Sequence, residues 1–375
     1  MKKGACASQV SFFGDGAMEM DVYACLDAQT LPILMYGMGN GAEKVLAALA
    51  AHGISVSDFF ASDEFVRGQS FMGKKVLSYA AACEKYGDFA VVLGFGSDRE
   101  EVLQRFAALD RVHGLYAPDV PVAGDEVFDG AFYKSHEAEY AAARAILADA
   151  ASRAMFDDIM EYRRSGSVRP LLRTKRCHWS RDARMPRKVR CYADFGAYRG
   201  DTVAKMLEAY PGIETVFAME PDARSFARLQ QYCAGLSQSV QLACAAAWSE
   251  EGVLRFCGAG SRSASLQDAS FALSHTEKAT SVPALSADAF LAGAAPDFLK
   301  FDVEGAEHAA LCGAEKTIRT HRPTLLVSAY HRPQDLYDLP RLISSFGVPY
   351  RFYLLRDRSV PAWDISYLCI AEENA

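Results

Sequence analysis

The second half of the chain alternates short apolar runs with stretches whose apolar residues recur at helical spacing. Seven runs have the length and composition of strands, at residues 190–195, 215–220, 240–245, 298–302, 324–330, 350–355 and 366–371. Helical patterns fit between most of them, which predicts a parallel sheet with crossover helices. The loop before the last run is too short for a helix, so the last two strands must pair antiparallel. Five βα units followed by a hairpin predict a Rossmann-like sheet.

The first half shows the same rhythm over a shorter length. Strands are predicted at 31–36, 54–61 and 89–93, and a helix is predicted near 99–109. A long helical pattern at 137–162 then leads into a polar, basic stretch up to Lys188. We therefore expect an α/β protein with a leader at 1–30, a smaller Rossmann-like domain at 31–135, a helical linker at 136–188 and the larger domain at 189–375.

Composition narrows the class of protein. Half of the residues are hydrophobic and 23% are charged, which is typical of a globular chain. The net charge of -7 gives no basic footprint for nucleic acid or for an anionic membrane. No apolar run approaches the ~20 residues of a membrane helix, and no signal peptide is indicated. The ten scattered cysteines favour reduced thiols, so we expect a cytoplasmic protein.

The strand predicted at 190–195 ends in a glycine-rich turn. The sequence there is Asp194-Phe-Gly-Ala-Tyr-Arg-Gly-Asp-Thr202. Glycines permit a tight turn and a close approach of the backbone to a ligand. The following strand ends in Glu220-Pro221-Asp222, about 20 residues further on. An acid at that position can bind the two ribose hydroxyls of a nucleoside.

The charges around this turn distinguish two kinds of cofactor. A dinucleotide site needs Gly-x-Gly-x-x-Gly to hold a pyrophosphate. This turn instead has Gly-x-x-x-Gly between Asp194 and Asp201. Acids repel a pyrophosphate, whereas they attract the ammonium and the sulfonium of S-adenosylmethionine. The turn therefore favours S-adenosylmethionine over NAD.

A second group of acids follows the strand predicted at 298–302. Asp302, Glu304 and Glu307 come at the carboxyl end of that strand, where open α/β sheets bind ligands. The next strand ends in Tyr330-His331-Arg-Pro333, which brings a histidine to the same edge. His331 is a candidate general base. The acids could instead flank a helix N-terminus, or hold a divalent metal that orients a sugar diol.

Taken together, these segments resemble the FkbM-type methyltransferase family, over residues from about Ser152 to Glu372. The resemblance is carried by Asp194–Thr202, by Glu220-Pro-Asp222, by Phe301-Asp-Val-Glu-Gly-Ala-Glu307 with Leu311-x-Gly313-Ala314, and by Ser328-Ala-Tyr-His331-Arg-Pro-x-Asp-Leu336. The family implies a class I methyltransferase fold and methyl transfer from S-adenosylmethionine, usually to an oxygen of a sugar, a glycan or a polyketide-like product.

The motifs and the resemblance assign a role to each candidate residue. In-line methyl transfer needs an aligned acceptor and a group that removes the hydroxyl proton. We expect catalysis by His331, Asp302 or Glu304, and substrate contacts from Glu307 and His331. No metal ligand is assigned. Cofactor binding is expected from Asp194, Gly196, Ala197, Gly200, Asp201, Thr202, Glu220, Pro221, Asp222 and Asp302.

The N-terminal half leaves alternatives open. Gly37-x-Gly39-x-x-Ala42 follows a strand and matches a dinucleotide fingerprint, with Asp58 and Asp63 near the position of a ribose-binding acid. The domain either binds a nucleotide or serves substrate presentation or dimerisation. The chain as a whole could accordingly be an NAD-dependent oxidoreductase acting on a nucleotide sugar, or a scaffold with an inactive domain. The expected partners are a small-molecule or glycan substrate and, as an open question, a second copy in a homodimer.

Overall fold

The computed structural model describes residues 21–174, 179–257, 265–267 and 280–372. The leader expected at 1–30 therefore lies largely outside the described residues. Two mainly parallel sheets dominate the architecture, one in each half of the chain, and each has helices packed on it. Apolar residues from both halves form one continuous core cluster, because buried side chains from Leu34 to Ala371 pack together in it.

The N-terminal half forms a five-stranded sheet in which all neighbouring strands are parallel. The strands lie in the order β5 (Leu77–Ser78), β2 (Asp58–Ala61), β1 (Ile33–Tyr36), β6 (Ala90–Leu93) and β7 (Leu115–Tyr116). Its strands are short, and the longer ones are buried on both faces, as expected for a sheet covered by helices. The elements are α1 (Val22–Asp27), β1 (Ile33–Tyr36), α2 (Asn40–Ala51), β2 (Asp58–Ala61), the two-residue strands β3 (Ser70–Phe71), β4 (Lys74–Lys75) and β5 (Leu77–Ser78), then α3 (Tyr79–Tyr86), β6 (Ala90–Leu93), α4 (Glu100–His113) and β7 (Leu115–Tyr116).

The segment predicted as one helix over 137–162 is two helices. Helices α5 (Gly130–Ser135), α6 (Glu137–Ala145), α7 (Ala150–Ser165) and α8 (Arg169–Arg173) follow the first sheet. The break lies where Leu147 forms a bridge with Phe352 and where Asp149 caps α7 through the backbone N–H of Ser152. The capping bond and the strand-like contact outweigh the helical propensity of the segment. These contacts also cover an edge strand, which would otherwise be open to pairing with another chain.

The C-terminal half contains a seven-stranded sheet and a smaller four-stranded one. Its elements are β8 (Cys191–Phe195), α9 (Asp201–Ala209), β9 (Thr215–Met219), α10 (Ala223–Cys233), β10 (Ser239–Ala243), β11 (Ala246–Ala247), β12 (Gly252–Cys257), β13 (Ser265–Gln267), β14 (Thr280–Leu285), α11 (Ala287–Leu291), β15 (Phe298–Phe301), α12 (Glu307–Cys312), α13 (Glu315–His321), β16 (Thr324–Ser328), α14 (Asp335–Ser345), β17 (Tyr350–Arg356) and β18 (Ile365–Ala371).

The larger sheet has the order β10-β9-β8-β15-β16-β18-β17. Its first five strands are parallel, and β18 runs antiparallel to both β16 and β17. The seven predicted strands and the antiparallel hairpin are confirmed. The smaller sheet, β11-β14-β12-β13, was not predicted, because its strands fall in a region with no clear alternation.

The boundaries of the predicted domains and of the linker at 136–188 stay predictions. Within that linker, α7 packs on β17, and the hydroxyl of Ser152 accepts a bond from the backbone N–H of Leu354 at 3.0 Å. Among the described residues, no helix combines the length and the apolarity that crossing a membrane requires.

Candidate active site

The predicted site residues meet at the carboxyl ends of β8, β9, β15 and β16. Strand order reverses between β8 and β15, since β9 lies on one side of β8 and β15 on the other. Such a switch point opens a crevice that binds ligands in open α/β sheets. The backbone N–H of Asp302 donates to the carbonyl of Phe195 at 3.0 Å, so the two strand ends remain paired up to the site.

Two glycines shape the turn after β8. Gly196 has φ +88°, and a Cβ atom there would lie 1.8 Å from the carbonyl oxygen of Asp302. Gly200 has φ +90° and precedes α9, and a Cβ atom there would lie 2.7 Å from the ring of Tyr232. Side chains are excluded at both positions by the left-handed backbone and by these close contacts. The predicted need for glycine therefore has a specific cause at each position.

Glu220 is held rigidly beside this turn. Its side chain is buried, with Oε2 accepting the backbone N–H of Tyr198 at 2.8 Å and Oε1 accepting that of Asp222 at 2.9 Å. Burial raises the pKa of Glu220 to about 7, against the lowering effect of these two bonds. Each oxygen retains a lone pair that a hydroxyl group can use. The carboxylate is thus oriented before any ligand arrives.

The other residues predicted to bind the cofactor lie around the same turn. Asp222 caps α10 through the backbone N–H of Ser225 at 2.8 Å, so it has a structural role of its own. Asp201 begins α9 and is exposed. Ala197 is buried, and both Thr202 and Pro221 are half-buried.

Asp194 is fully buried and is paired with a cation. Its neighbour across the strands is Lys300 of β15, whose Nζ lies 3.0 Å from Oδ1 of Asp194. The same Nζ donates to the carbonyl of Gly196 at 3.2 Å and lies 3.7 Å from Oδ2 of Asp302. Burial alone would lower the pKa of Lys300, but the attraction of the two carboxylates outweighs it and raises the pKa. Lys300 is therefore charged within the site.

The second group of acids surrounds His331. Its Nδ1 lies 2.9 Å from Glu307, and its Nε2 lies 3.4 Å from Glu304 and 3.7 Å from Asp302. His331 is completely buried, whereas Asp302 and Glu304 each expose about a third of their side chains, at 35% and 29%. The structure thus brings all four predicted residues together, with two of them open to a substrate.

Glu307 stabilises the loop between β15 and α12 through backbone hydrogen bonds. Its Oε1 accepts the backbone N–H of Val303 at 2.8 Å, and its Oε2 accepts that of Gly305 at 3.0 Å. These bonds close the loop between β15 and α12. Glu307 is also buried, so it cannot approach a substrate without movement of its loop. Glu307 is also the first residue of α12. It therefore fits the alternative prediction, in which an acid stabilises the N-terminus of a helix.

Electrostatics separate the roles of His331 and Glu304. Burial opposes protonation of His331, but Glu307, Glu304 and Asp302 together raise its pKa to about 10. At neutral pH the imidazole is therefore protonated. Burial and the neighbouring carboxylates raise the pKa of Glu304 to about 8, against the attraction of His331. Partial burial acts to raise the pKa of Asp302, but the attraction of Lys300 and His331 outweighs this effect and lowers the pKa.

The oxygens of Asp302 and Glu307 and a ring nitrogen of His331 all lie within 4.8 Å of one another. That spacing alone would suit a divalent metal. His331, however, is protonated at neutral pH. A protonated imidazole has no lone pair to offer a metal, so His331 cannot be a ligand in this state.

Residues 119–124, which we call the strap, bring the N-terminal half into the site. The backbone N–H of Ala123 donates to the carbonyl of His331 at 2.9 Å. Gly305 has φ +95°, and a Cβ atom there would lie 2.4 Å from Cβ of Ala123. The strap therefore packs directly on two loops that carry site residues. Asp119 at its start forms a buried ion pair with Arg163 of α7 at 2.8 Å.

A second contact joins the carboxyl edges of the two sheets. Ser97, after β6, and Val360, after β17, exchange two backbone hydrogen bonds at 2.9 and 3.0 Å. Gly96, next to Ser97, faces the ring of Trp363. A Cβ atom on Gly96 would lie 2.2 Å from that ring. Because β17 runs parallel to β16, its carboxyl end lies at the same edge as the site. The two carboxyl edges therefore face each other.

The glycine-rich turn of the N-terminal half is partly covered by an aromatic side chain. A Cβ atom on Gly37 would lie 2.5 Å from the ring of Phe95. The ring therefore covers the first glycine of the fingerprint. Asp58 begins β2 and so lies at the amino end of the strand, where its carboxylate accepts bonds from Lys85 and Tyr86. Asp63 does follow β2, and its carboxylate accepts the backbone N–H of Tyr79.

Two features of the site were missed by sequence reasoning. The strap is distant in sequence and carries no motif, so no sequence signal marks it. Lys300 did give a signal, because it interrupts the apolar run Phe298-Leu-Lys-Phe301 of a buried strand. A buried lysine normally has an anionic partner, so this position predicts an acid on a neighbouring strand.

Comparison with known proteins agrees with this geometry. Residues 194–350 match the model of the methyltransferase FkbM domain. A crystal structure of methyltransferase FkbM from Methylobacillus flagellatus KT is similar to this chain with a TM-score of 0.71 and 20% identity, over 90% of this chain and 89% of that one. No curated protein sequence matches the chain.

Weaker structural matches concern about half of the chain. Precorrin-6y C5,15-methyltransferase from Geobacter metallireducens GS-15 has a TM-score of 0.31 and 11% identity, over 50% of this chain and 80% of that one. Fibrillarin from Aeropyrum pernix, in complex with natively bound S-adenosyl-L-methionine, has a TM-score of 0.31 and 10% identity, over 49% of this chain and 67% of that one. The match to the family model, on the residues that build the site, identifies residues 194–350 as an FkbM-type methyltransferase domain and the chain as a methyltransferase.

Proposed function

We propose that this protein transfers a methyl group from S-adenosylmethionine to a hydroxyl group of a sugar, a glycan or a related metabolite. The observation that carries the proposal is the oriented Glu220 carboxylate beside the glycine turn at the switch point of the sheet. Two lone pairs at fixed positions suit the two ribose hydroxyls of a nucleoside. The FkbM domain match supplies the reaction class.

The methionine end of the cofactor would lie against the turn after β8. Gly196 and Gly200 keep the backbone free of side chains there, and the first N–H groups of α9 are available to a carboxylate. Asp201 and Asp302 add negative charge for the ammonium and the sulfonium. When bound, the sulfonium supplies an activated methyl group, and the protein has to align an acceptor with it.

Glu304 is the best candidate for removing the acceptor's proton. It is partly exposed, has φ +54°, and faces His331, Asp302, Glu307 and Glu220. Its pKa of about 8 lies near neutrality, which suits a general base better than the strongly protonated His331. In this proposal His331 is a positioning residue that holds the carboxylates in place through its charge.

The acceptor would enter between the facing carboxyl edges of the two sheets. This proposal is supported by the strap and by the contact between Ser97 and Val360, which join the N-terminal half to the loops at this edge. Phe95 covers Gly37, which is unfavourable for a dinucleotide at that turn. We therefore propose that the N-terminal half presents the substrate and does not bind NAD.

The proposal is tested first by calorimetry with S-adenosylhomocysteine, then by a methyl-acceptor screen over sugars and glycosides with S-adenosylmethionine. The Glu220→Gln variant should weaken binding strongly, whereas Glu208→Gln, an exposed acid on α9, should not. If no heat is measured with either ligand, the proposal fails. Binding without transfer to any acceptor would instead favour a non-catalytic scaffold, and binding of NADH would favour an oxidoreductase.

For an acceptor found in this screen, the Glu304→Gln variant should lower kcat by about 10²–10⁴-fold and leave the affinity for S-adenosylhomocysteine unchanged. In the unsubstituted protein, kcat should rise with pH up to about 8, since Glu304 must lose its proton to act as a base. A variant with full activity and an unchanged pH profile would remove Glu304 from this role.

A further inference from the structure

Lys300 is an unusual residue for its position. It lies one residue before the carboxyl end of a parallel strand, β15, whose four residues are all buried. Burial of an ammonium group is costly unless the group is paired and hydrogen-bonded. Here it is paired, because Lys300 lies opposite Asp194 in the strand register and contacts it at 3.0 Å. The pair occupies the strand ends between which the cofactor would bind.

The contacts of Lys300 connect three parts of the site. Its Nζ contacts Asp194 of β8, the carbonyl of Gly196 in the glycine turn, and Asp302 after β15, at 3.0, 3.2 and 3.7 Å. Two carboxylates and one ammonium leave one net negative charge in this trio. Without the ammonium, the same space would hold two negative charges.

We propose that Lys300 is a positioning residue that sets the charge at the methionine end of the pocket and thereby the relative affinity for the cofactor and its product. This inference rests on the proposed function. S-adenosylmethionine carries a positive sulfur that S-adenosylhomocysteine lacks, while the two molecules otherwise differ by one methyl group. Any change of charge beside the sulfur therefore acts on one ligand more than on the other. By partly offsetting the carboxylates, Lys300 limits the preference for the cationic ligand.

The proposal predicts opposite effects for the two partners of the buried pair. Lys300→Met removes a positive charge and should shift the affinity ratio toward S-adenosylmethionine. Asp194→Asn removes a negative charge and should shift it toward S-adenosylhomocysteine. A unit charge several ångströms away, at an effective dielectric constant of about 20, corresponds to a change on the order of tenfold or more. The double variant restores the net charge and should return the ratio to its original value.

The experiment is calorimetry of both ligands on the full chain, with circular dichroism to establish folding. Lys205→Met serves as the matched control, because Lys205 is an exposed lysine on α9, and its ratio should not change. If Lys300→Met does not fold, Asp194→Asn still tests the same charge through the opposite shift. The double variant, which removes both members of the buried pair, then shows that the pair itself is not needed for folding. Lys300→Arg should keep the original ratio.

A purely structural role for Lys300 would weaken both ligands equally and leave the ratio unchanged in every variant, and that result would overturn the inference. The outcome differs from a failure of the proposed function, in which the unsubstituted protein binds neither ligand.

Discussion

Replacing Gly196 by alanine tests whether the close approach of two strand ends creates the site. Gly196 has φ +88°, and a Cβ atom there would lie 1.8 Å from the carbonyl oxygen of Asp302. The left-handed backbone alone costs a residue with a Cβ atom about 1–2 kcal/mol. The clash adds to this cost, because the carbonyl must move by about 1.2 Å before the contact reaches 3.0 Å, the lower limit for real Cβ atoms.

The displacement involves the end of β15 and therefore the residues that define the pocket. Overpacking of this kind costs about 1–3 kcal/mol beyond the backbone term. We expect Gly196→Ala to lower the free energy of unfolding by about 2–5 kcal/mol in total. Its affinity for S-adenosylhomocysteine should fall at least tenfold, because Asp302 and the turn would move apart.

Gly293→Ala provides the matched control. Gly293 has nearly the same φ, +86°, but a Cβ atom there meets nothing within 4 Å. It should therefore show only the backbone cost of about 1–2 kcal/mol, with unchanged ligand affinity. Thermal and denaturant unfolding with calorimetry measure both quantities. If Gly196→Ala is no less stable than Gly293→Ala and still binds S-adenosylhomocysteine normally, the close approach is irrelevant to the site.

Two further predictions concern buried charges. The folded-state pKa of His331, about 10, exceeds the ordinary value of about 6.5, so its proton stabilises the fold fully below pH 6.5 and this contribution is lost as the pH rises through 10. The deficit in Tm of His331→Gln should therefore shrink between pH 6 and pH 10, and a constant deficit would contradict the assignment. Arg163→Met should cost about 3–5 kcal/mol in urea unfolding, because it leaves Asp119 buried and unpaired. Arg163→Met with Asp119→Asn should recover most of that loss, and Arg144→Met, which breaks only an exposed pair with Asp157, should cost far less than Arg163→Met. Equal losses for the buried and the exposed arginine would refute the reasoning.

Local sequence determined the strands and the motifs that end them. The runs that became β8, β9, β15 and β16 are apolar over the length of a buried strand, and the polar residues after them begin loops and helices. Because parallel strands end at one edge, Glu220, Asp302 and His331 could be expected to meet there. Helix bounds were less predictable. The long pattern at 137–162 breaks at Asp149, because a capping bond and a contact with β17 outweigh helical propensity.

The roles of the gathered residues depended on distances that no sequence pattern contains. His331 looked like a base, yet three surrounding carboxylates keep it protonated at neutral pH. Glu307 looked like a substrate contact, yet its oxygens accept two backbone N–H groups. A pKa depends on burial and on charges within a few ångströms, so it follows from the packing of the whole site.

The sequence by itself determined the α/β class, the order of strands along the chain and the identity of the acids at the carboxyl edge, because strand length, apolar period and turn residues are local properties. Only the tertiary structure decided that Lys300 is paired with Asp194, that the strap lies against Gly305, and that the two sheets face each other with their carboxyl edges. Some of these contacts join residues that are more than 200 positions apart in the sequence. All of them arise from the packing of a shared core.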